Sequence, residues 1–220
     1  MQRRFDAVLF DLDGVLTDSE PWWNDVRIAF AHAHGRPWTD NDQHAVMGAN
    51  SPEWAAIMQS RLQLEHVPVE AIQDAIVHGM VERYRTQPSP VIAGAPEAVR
   101  RIAATRPVAI ASSSHPRVIE AAIDALGLHG LFGAVVSSDD VPSGKPAPDV
   151  YLRAADLLGV PPSRCVIVED SLNGVRAGAA AGAFVVLVPN PSVPPAGDAR
   201  ERANLVLDRL ADLDPDALPG

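Results

Sequence analysis

The chain has 220 residues, of which 47% are hydrophobic, and a formal charge of −10. This length suits one ordinary domain or a core with a smaller insertion. The acidic balance argues against a nucleic-acid partner, which would need clustered lysine and arginine. No apolar stretch is long enough to span a membrane, and aspartates interrupt the N-terminal apolar run, so we expect neither a membrane anchor nor a signal peptide. The single cysteine allows no internal disulfide, and we expect a cytoplasmic protein.

The N-terminal part predicts a buried strand that ends in two carboxylates. An apolar run at 7–10 leads to Asp11 and Asp13, and such a run is typical of a parallel core strand. Gly14 ends the strand and allows a tight turn. Two carboxylates this close repel each other unless a cation or a shared proton offsets their charge. The stretch therefore indicates a binding site or, as the alternative, a strand end with an Asx-type turn.

Residues from about 19 to 85 predict an all-helical insertion. They contain no apolar run typical of a strand, and apolar residues recur at helical spacing. Glycine and proline positions favour helices at about 21–34, 39–47, 52–63 and 68–84. A proline-rich linker at 87–90 leads out of the insertion. We assign residues 18–87 to the insertion and residues 1–17 and 88–220 to the core.

The remainder of the chain alternates between strand and helix patterns, which predicts an α/β fold with a parallel sheet and right-handed crossovers. Strands are expected at 107–111, 134–136, 165–168, 184–188 and 205–207. Helices are expected at 95–104, 116–126, 148–158 and 171–181. The strand at 7–10 belongs to the same sheet, so the helical region interrupts the core after its first strand.

Polar side chains follow several of these strands, at positions that a parallel sheet brings to one edge. Buried carboxylates are costly unless they are paired or bind a metal, which makes packing a poor explanation for them. The available ligands are all oxygens, the set that favours Mg²⁺. The alternative for the acids at 169–170 is helix capping, in which Asp170 or Ser171 is the N-cap of the next helix, and the two interpretations are compatible. The polar groups are Asp11, Asp13, Ser112, Lys145, Glu169 and Asp170.

The serines at 112–114 and the loop around Lys145 favour an anion site. A hydroxyl and backbone N–H groups at a helix start bind anions, although a serine-rich turn is an equally good interpretation for the serines alone. Prolines fix the loop after Lys145, whose ammonium could hold a phosphate oxygen. A P-loop is excluded because Asp139 stands where its first glycine would be and Pro146 follows the lysine.

Four segments resemble, in chain order, the four motifs of the haloacid dehalogenase superfamily. They are residues 11–20, 110–114, 144–149 and 168–171. The insertion resembles the helical cap of the β-phosphoglucomutase and sugar-phosphate phosphatase branch of that superfamily. The resemblance spans nearly the whole chain and implies a Rossmann-like core with a mobile helical cap.

The resemblance also implies Mg²⁺-dependent hydrolysis of a small phosphorylated molecule. Asp11 would be the nucleophile that forms an aspartyl-phosphate, and Asp13 would protonate the leaving group and then activate water. The dehalogenases lack this second aspartate, so Asp13 excludes dehalogenation. The phosphoryl oxygens would be held by Ser112, Ser113, Lys145 and the N–H of Gly14. The metal would be held by Asp11, the carbonyl of Asp13, Asp170 and, through water, Glu169.

The substrate is expected to be a sugar or polyol phosphate, with a β-phosphoglucomutase, an isomerase, as the alternative. The mutase cap carries an arginine where this chain has Ser51, and it typically has Lys-Asn where this chain has His115 and Pro116. These differences remove two groups that would hold a second phosphate and favour a phosphatase. The candidates for substrate specificity are Trp22, Trp23, Gly48, Asn50 and His115. The sequence does not define the oligomeric state, and a monomer is the default expectation.

Overall fold

The computed structural model describes residues 5–218, and its centre is a six-stranded parallel sheet. The strands are β1 (Ala7–Phe10), β2 (Val108–Ser112), β3 (Ala134–Ser137), β4 (Cys165–Glu169), β5 (Phe184–Leu187) and β6 (Leu205–Val206). Their order is β3-β2-β1-β4-β5-β6, so β1 lies inside the sheet between β2 and β4. Leu9 pairs with Ala109 on one side and with Ile167 on the other. The predicted parallel α/β fold is confirmed.

Four helices lie in sequence between β1 and the rest of the core, where the insertion was predicted. They are α1 (Glu20–Ala33), α2 (Asp40–Val46), α3 (Ser51–Leu62) and α4 (Val69–Thr86). Capping boxes at Thr39 and Asn50 start α2 and α3, because each side chain accepts a hydrogen bond from the third helical N–H. Trp54, Met58 and Met80 are buried among these helices.

The core helices cover both faces of the sheet. They are α5 (Ala95–Ala103), α6 (Pro116–Ala125), α7 (Asp149–Leu158), α8 (Leu172–Ala180) and the short α9 (Ala199–Arg202), which the sequence analysis did not predict. Alternate residues of β1 enter different apolar clusters, Val8 and Phe10 on one face and Ala7 and Leu9 on the other. Burial on both faces explains why the strand sequences are continuous apolar runs.

Two neighbouring segments connect the insertion to the core. The N–H of Asp18 donates to the Pro90 carbonyl at 2.8 Å, and the N–H of Ile92 donates to the Leu16 carbonyl at 3.1 Å. The chain therefore leaves the core and returns to it at one place. Among residues 5–218, no helix has the length and apolar character needed to cross a membrane.

Candidate active site

The ends of β1 and β4 bring three carboxylates together. The N–H of Asp11 donates to the Val168 carbonyl at 3.0 Å, so Asp11 is fixed beside the end of β4. Carboxylate oxygens of Asp11, Glu169 and Asp170 lie within 4.8 Å of one another, and all three residues are buried. This donor set consists of hard oxygen ligands and fits a divalent cation such as Mg²⁺.

Lys145 provides the positive charge beside these acids. Its Nζ lies 2.9 Å from Asp11 Oδ1 and 2.6 Å from Glu169 Oε1. The Tyr151 hydroxyl donates to the same Glu169 oxygen at 2.6 Å, and the Lys145 Nζ lies 4.9 Å from the centroid of the Tyr151 ring. Lys145 is thus held in position from two sides, and Tyr151 is a supporting residue that the sequence analysis missed.

The second oxygen of Glu169 organises the start of α8. Glu169 Oε2 accepts hydrogen bonds from the N–H groups of Asp170 and Ser171, both at 3.1 Å, and from the Ser171 hydroxyl at 2.9 Å. The Ser171 hydroxyl in turn accepts from the N–H of Gly174 at 3.0 Å. Both interpretations of this motif therefore apply, since the acids cluster at the strand end and Ser171 caps the helix.

Two glycines allow the carboxylates to lie this close to the backbone. A Cβ on Gly14 would lie 1.9 Å from Asp170 Oδ2, and the positive φ of 85° already disfavours other residues there. A Cβ on Gly174 would lie 1.7 Å from Glu169 Oε1. Gly14 therefore both turns the chain after β1 and leaves room for Asp170.

Burial and mutual repulsion shift the pKa values of these acids. Burial raises the pKa of Asp11 to about 7, Lys145 opposes the shift, and the charges of Glu169 and Asp13 add to it. Burial and the charges of Glu169 and Asp11 raise the pKa of Asp170 well above its usual value. At Glu169, burial is outweighed by Lys145 and by hydrogen bonds, so its pKa is lowered. Three carboxyl groups share one ammonium here, so a bound cation would favour the ionised forms of Asp11 and Asp170.

The Asp13 carboxylate is held apart from this cluster. Its Oδ2 accepts from the Ser114 hydroxyl at 2.7 Å, and its Oδ1 accepts from the Ser19 hydroxyl and, at 3.4 Å, from Trp23 Nε1. These donors come from the core, from α1 and from Ser19 just before α1, so both parts of the molecule orient Asp13. Asp11 and Asp13 therefore have different surroundings, as their different expected tasks require.

The serines after β2 form a fixed turn. The Ser112 hydroxyl accepts from the N–H of Ser114 at 3.0 Å, and the Ser137 hydroxyl donates to the Ser114 carbonyl at 2.7 Å. His115 Nδ1 accepts from the N–H of Arg117 at 3.2 Å and so caps α6. The turn interpretation is correct, and the same turn also presents its serines to a cavity.

A cavity of about 350 Å³ lies between the strand ends, the insertion and the loop after β5. Most of the predicted site residues line it, namely Asp11, Asp13, Gly14, Ser112, Ser113, Lys145, Asp170, Trp23 and Gly48. Glu169 lies behind this wall and is fully buried. The loop contributes Asn190 and residues 193–196. Asn190 Nδ2 and the Ser192 hydroxyl donate to the two oxygens of Asp18, at 3.0 and 2.6 Å, which ties the loop to the start of the insertion.

Three predicted specificity residues do not line this cavity. The Trp22 ring packs edge-on against Tyr84 with 5.2 Å between centroids. Asn50 caps α3 by accepting from the N–H of Glu53 at 3.0 Å, and His115 caps α6. Their contacts explain these side chains by local structure, so the prediction that they face the substrate is not supported by the structure.

The insertion contributes cavity residues that the sequence analysis missed, notably Glu20, Arg27 and Trp54. Glu20, Trp23 and Arg27 are spaced three and four residues apart on α1, which places them on one helix face. This spacing was the sequence signal that could have identified Glu20 and Arg27 as neighbours of Trp23. Burial lowers the pKa of Arg27 to about 10, against the opposing effect of the Glu20 and Asp13 carboxylates.

The family model of the haloacid dehalogenase-like hydrolases matches residues 5–182. The chain belongs to this family. The match includes β1, the insertion and the motifs around Ser112, Lys145 and Glu169–Asp170. The family generally uses a divalent metal, and the chain has the buried acidic cluster to hold one.

Relatives and solved structures resemble nearly the whole chain. The fructose-1-phosphate phosphatase YqaB of Escherichia coli (strain K12) is 32% identical over 189 residues, which are 83% of this chain and 95% of the relative. The crystal structure of a CbbY variant from Rhodobacter sphaeroides in complex with xylulose 1,5-bisphosphate has a TM-score of 0.80 and 25% identity, and the match covers 95% of this chain and 96% of that one. The crystal structure of a Thermotoga maritima protein proposed to be a β-phosphoglucomutase has a TM-score of 0.71 and 27% identity, with 94% and 96% coverage. Within the family, this chain is a phosphoric monoester hydrolase.

Proposed function

We propose that the chain is a Mg²⁺-dependent phosphatase that hydrolyses a sugar or polyol phosphate through an aspartyl-phosphate on Asp11. The observation that carries this proposal is the environment of Asp11. It is a buried carboxylate at the end of β1 that lies 2.9 Å from Lys145 Nζ, next to Asp170, on the wall of the cavity. A nucleophile, a cation for the phosphoryl oxygens and a metal ligand are thus adjacent.

The metal ligands in this proposal are Asp11, Asp170 and the Asp13 carbonyl, with Glu169 acting through water. The hydrogen bonds on both Glu169 oxygens favour such an indirect role. When bound, Mg²⁺ would offset the negative charge of the carboxylates and of the phosphoryl group.

In the first step, a carboxylate oxygen of Asp11 attacks phosphorus while the bond from phosphorus to the ester oxygen breaks. Asp13 gives its proton to that departing oxygen and becomes a carboxylate. Lys145 and the turn at Ser112–Ser113 hold the phosphoryl oxygens. This arrangement supplies the positioning and the charge neutralisation on which phosphoryl transfer depends.

In the second step, Asp13 takes a proton from a water molecule that attacks the aspartyl-phosphate at phosphorus. The bond between phosphorus and Asp11 breaks, which releases inorganic phosphate and restores both residues. The hydroxyls of Ser19 and Ser114 keep Asp13 oriented through both transfers. The covalent intermediate divides one difficult displacement into two easier ones.

Residues 18–87 act in this proposal as a cap that closes the cavity against water. A hydrogen bond from the N–H of Ser51 to Asp139 Oδ1, at 2.8 Å, supports the idea because it joins the insertion to the core. The two neighbouring chain segments near Asp18 and Pro90 are suitable as a hinge between the insertion and the core. The same proposal includes a cytoplasmic location, as expected from the single cysteine, and a monomer as the default state.

A β-phosphoglucomutase is the second candidate. The Thermotoga maritima structure favours it, and so does Arg27, a cation in the cavity that could hold a second phosphate. The chain can be given β-glucose 1-phosphate, a trace of the 1,6-bisphosphate and Mg²⁺. Free phosphate supports the phosphatase, whereas glucose 6-phosphate as the product would establish the mutase.

Phosphate release from a panel of phosphomonoesters tests the proposal as a whole. We expect release from sugar or polyol phosphates, its loss when EDTA removes the metal and its return with added Mg²⁺. Full turnover in EDTA would contradict the metal requirement. No release from any ester would contradict the phosphatase.

A further inference from the structure

Arg27 is a buried cation that the catalytic scheme does not use. It is 5% exposed and lies on α1, one turn after Trp23. The centre of its guanidinium is 5.1 Å from the Trp23 ring centroid and 5.8 Å from that of Trp54. The two rings fix the guanidinium in place by cation–π contact, and the group lies on the cavity wall.

Two of the three guanidinium nitrogens of Arg27 are buried without a hydrogen-bond partner in the described part of the chain. Within residues 5–218, neither Nε nor Nη1 of Arg27 has a hydrogen-bond partner, although both atoms are buried. The Glu20 Oε1 atom lies 3.8 Å from Nη1, which is close enough for an ion pair and too far for a hydrogen bond. Buried N–H groups of a charged side chain are costly to leave unpaired. Because Arg27 lines the cavity, a ligand there would pair with these groups once the side chain shifts slightly toward it.

Glu20 is held where it is by other residues. Its Oε1 accepts a hydrogen bond from Gln43 Nε2, and the Gln43 Oε1 atom accepts from Trp38 Nε1 at 3.1 Å. These hydrogen bonds hold the Glu20 carboxylate beside Arg27, at a distance of 3.8 Å that is too long for a hydrogen bond between the two side chains. The wall thus offers hydrogen-bond donors and an acceptor side by side.

We propose that Arg27 and Glu20 recognise hydroxyl groups of the substrate on the part away from the phosphate. A hydroxyl both donates and accepts, so adjacent hydroxyls match a fixed guanidinium and carboxylate. A second phosphate or a carboxylate would be attracted by Arg27 but repelled by Glu20. This inference rests on the proposed function, whose substrate class it specifies.

Binding without turnover tests the inference separately from the proposed function. In an Asp11→Asn background with Mg²⁺, calorimetry gives the dissociation constants of fructose 1-phosphate, sorbitol 6-phosphate and inorganic phosphate. We expect at least one ester to bind more tightly than phosphate and Arg27→Met to reduce this advantage by about tenfold or more, because hydrogen bonds to a charged group are lost. No ester advantage over phosphate would overturn the inference, as would an equal effect of Arg27→Met on all ligands.

Arg83→Met is the matched control. Arg83 is another arginine of the insertion near a tryptophan ring, 6.0 Å from the Trp22 centroid, and it lies outside the cavity lining. The control should not change the ester advantage. If Arg27→Met does not fold, Arg27→Lys gives the same test, since it keeps the charge and loses the planar fork of donors. An unchanged ester advantage in Arg27→Lys would then overturn the inference.

Fructose 1,6-bisphosphate distinguishes the hydroxyl site from an anion site. We expect the bisphosphate to bind less tightly than fructose 1-phosphate. Tighter binding that depends on Arg27 would overturn the hydroxyl assignment in favour of a second phosphate. A wild-type protein that releases no phosphate from any ester would disprove the proposed function, while the binding comparison would still decide the role of Arg27.

Discussion

The two walls of the cavity differ in how completely their polar groups are paired. On the core wall, Lys145 bonds to Asp11 and Glu169, and Glu169 uses both of its oxygens. On the insertion wall, the guanidinium of Arg27 has two buried nitrogens without a hydrogen-bond partner among residues 5–218. The core wall is organised before a ligand arrives, whereas in our proposal a ligand completes the insertion wall.

The difference follows from what supports each wall. The core groups follow strands whose backbone hydrogen bonds fix their relative positions, which favours preorganised electrostatics. The insertion groups project from α1, which belongs to a unit connected to the core through the segments near Asp18 and Pro90. In our proposal, catalysis depends on the core wall, and substrate recognition depends on the insertion wall, whose residues can change without disturbing the strands.

Asp11→Asn gives the largest expected effect. The amide is a poor nucleophile, so we expect phosphate release to fall at least about 1000-fold. Steady-state rates on the best ester of the panel measure it. Asp40→Asn makes the same change at an exposed position of the insertion, the first residue of α2, and should keep the wild-type rate. Substantial hydrolysis by Asp11→Asn would remove Asp11 from its assigned role.

Lys145→Met tests how far the core wall depends on its cation. The change leaves Asp11 and Glu169 buried without their shared partner, so we expect a loss of about 3–5 kcal/mol in the free energy of unfolding, together with loss of turnover. Urea denaturation in EDTA measures the stability. Arg153→Met breaks an exposed pair with Asp156 and should cost less than about 1 kcal/mol. Equal losses in the two variants would contradict the account of the core wall.

Tyr151→Phe tests the support behind Lys145. It removes the hydroxyl bonded to Glu169 and keeps the ring, so we expect a stability loss of about 1–2 kcal/mol and a lower kcat. Thr86→Val deletes a hydroxyl that donates to the Glu82 carbonyl outside the cavity lining and should leave kcat unchanged. An unchanged kcat in Tyr151→Phe would mean that Lys145 is positioned without it.

Asp139→Ala gives the smallest expected effect and tests the connection between the walls. It removes the acceptor of the Ser51 N–H, so docking of the insertion should weaken by about 1 kcal/mol, which corresponds to an increase in KM of about fivefold. Initial rates across substrate concentrations measure the change. Asp139→Asn keeps an acceptor oxygen and should retain most of the wild-type KM. A KM that Asp139→Ala leaves unchanged would show that this bond does not control closure.

The sequence predicted the core wall well because its groups follow strands. A parallel sheet implied that the ends of its strands share one edge, and the limits of the predicted helices and strands agree with the structure within two residues. The support from Tyr151 was missed, because a buried tyrosine on α7 resembles any core residue until the fold brings it to Glu169. Such long-range pairs have no local signal.

The insertion wall was predicted less well, since helix rotation decides which side chains reach the cavity. Trp23 faces the cavity and its neighbour Trp22 packs on Tyr84. The spacing of Glu20, Trp23 and Arg27 indicated that face, yet the sequence analysis singled out only Trp23. Asn50 precedes Pro52 at a helix start, where a capping role explains it fully. The domain limits at residues 17–18 and 87–88 remain predictions.

The most direct test of the account is to trap phosphate on the protein. The chain is mixed with an excess of its best ester and Mg²⁺, quenched in acid within milliseconds, and digested for mass spectrometry. We predict one added phosphoryl group on the peptide that contains Asp11, localised to Asp11 by fragmentation and absent from Asp11→Asn. A phosphoryl group on another residue, or rapid turnover with none trapped at any time, would contradict the central claim.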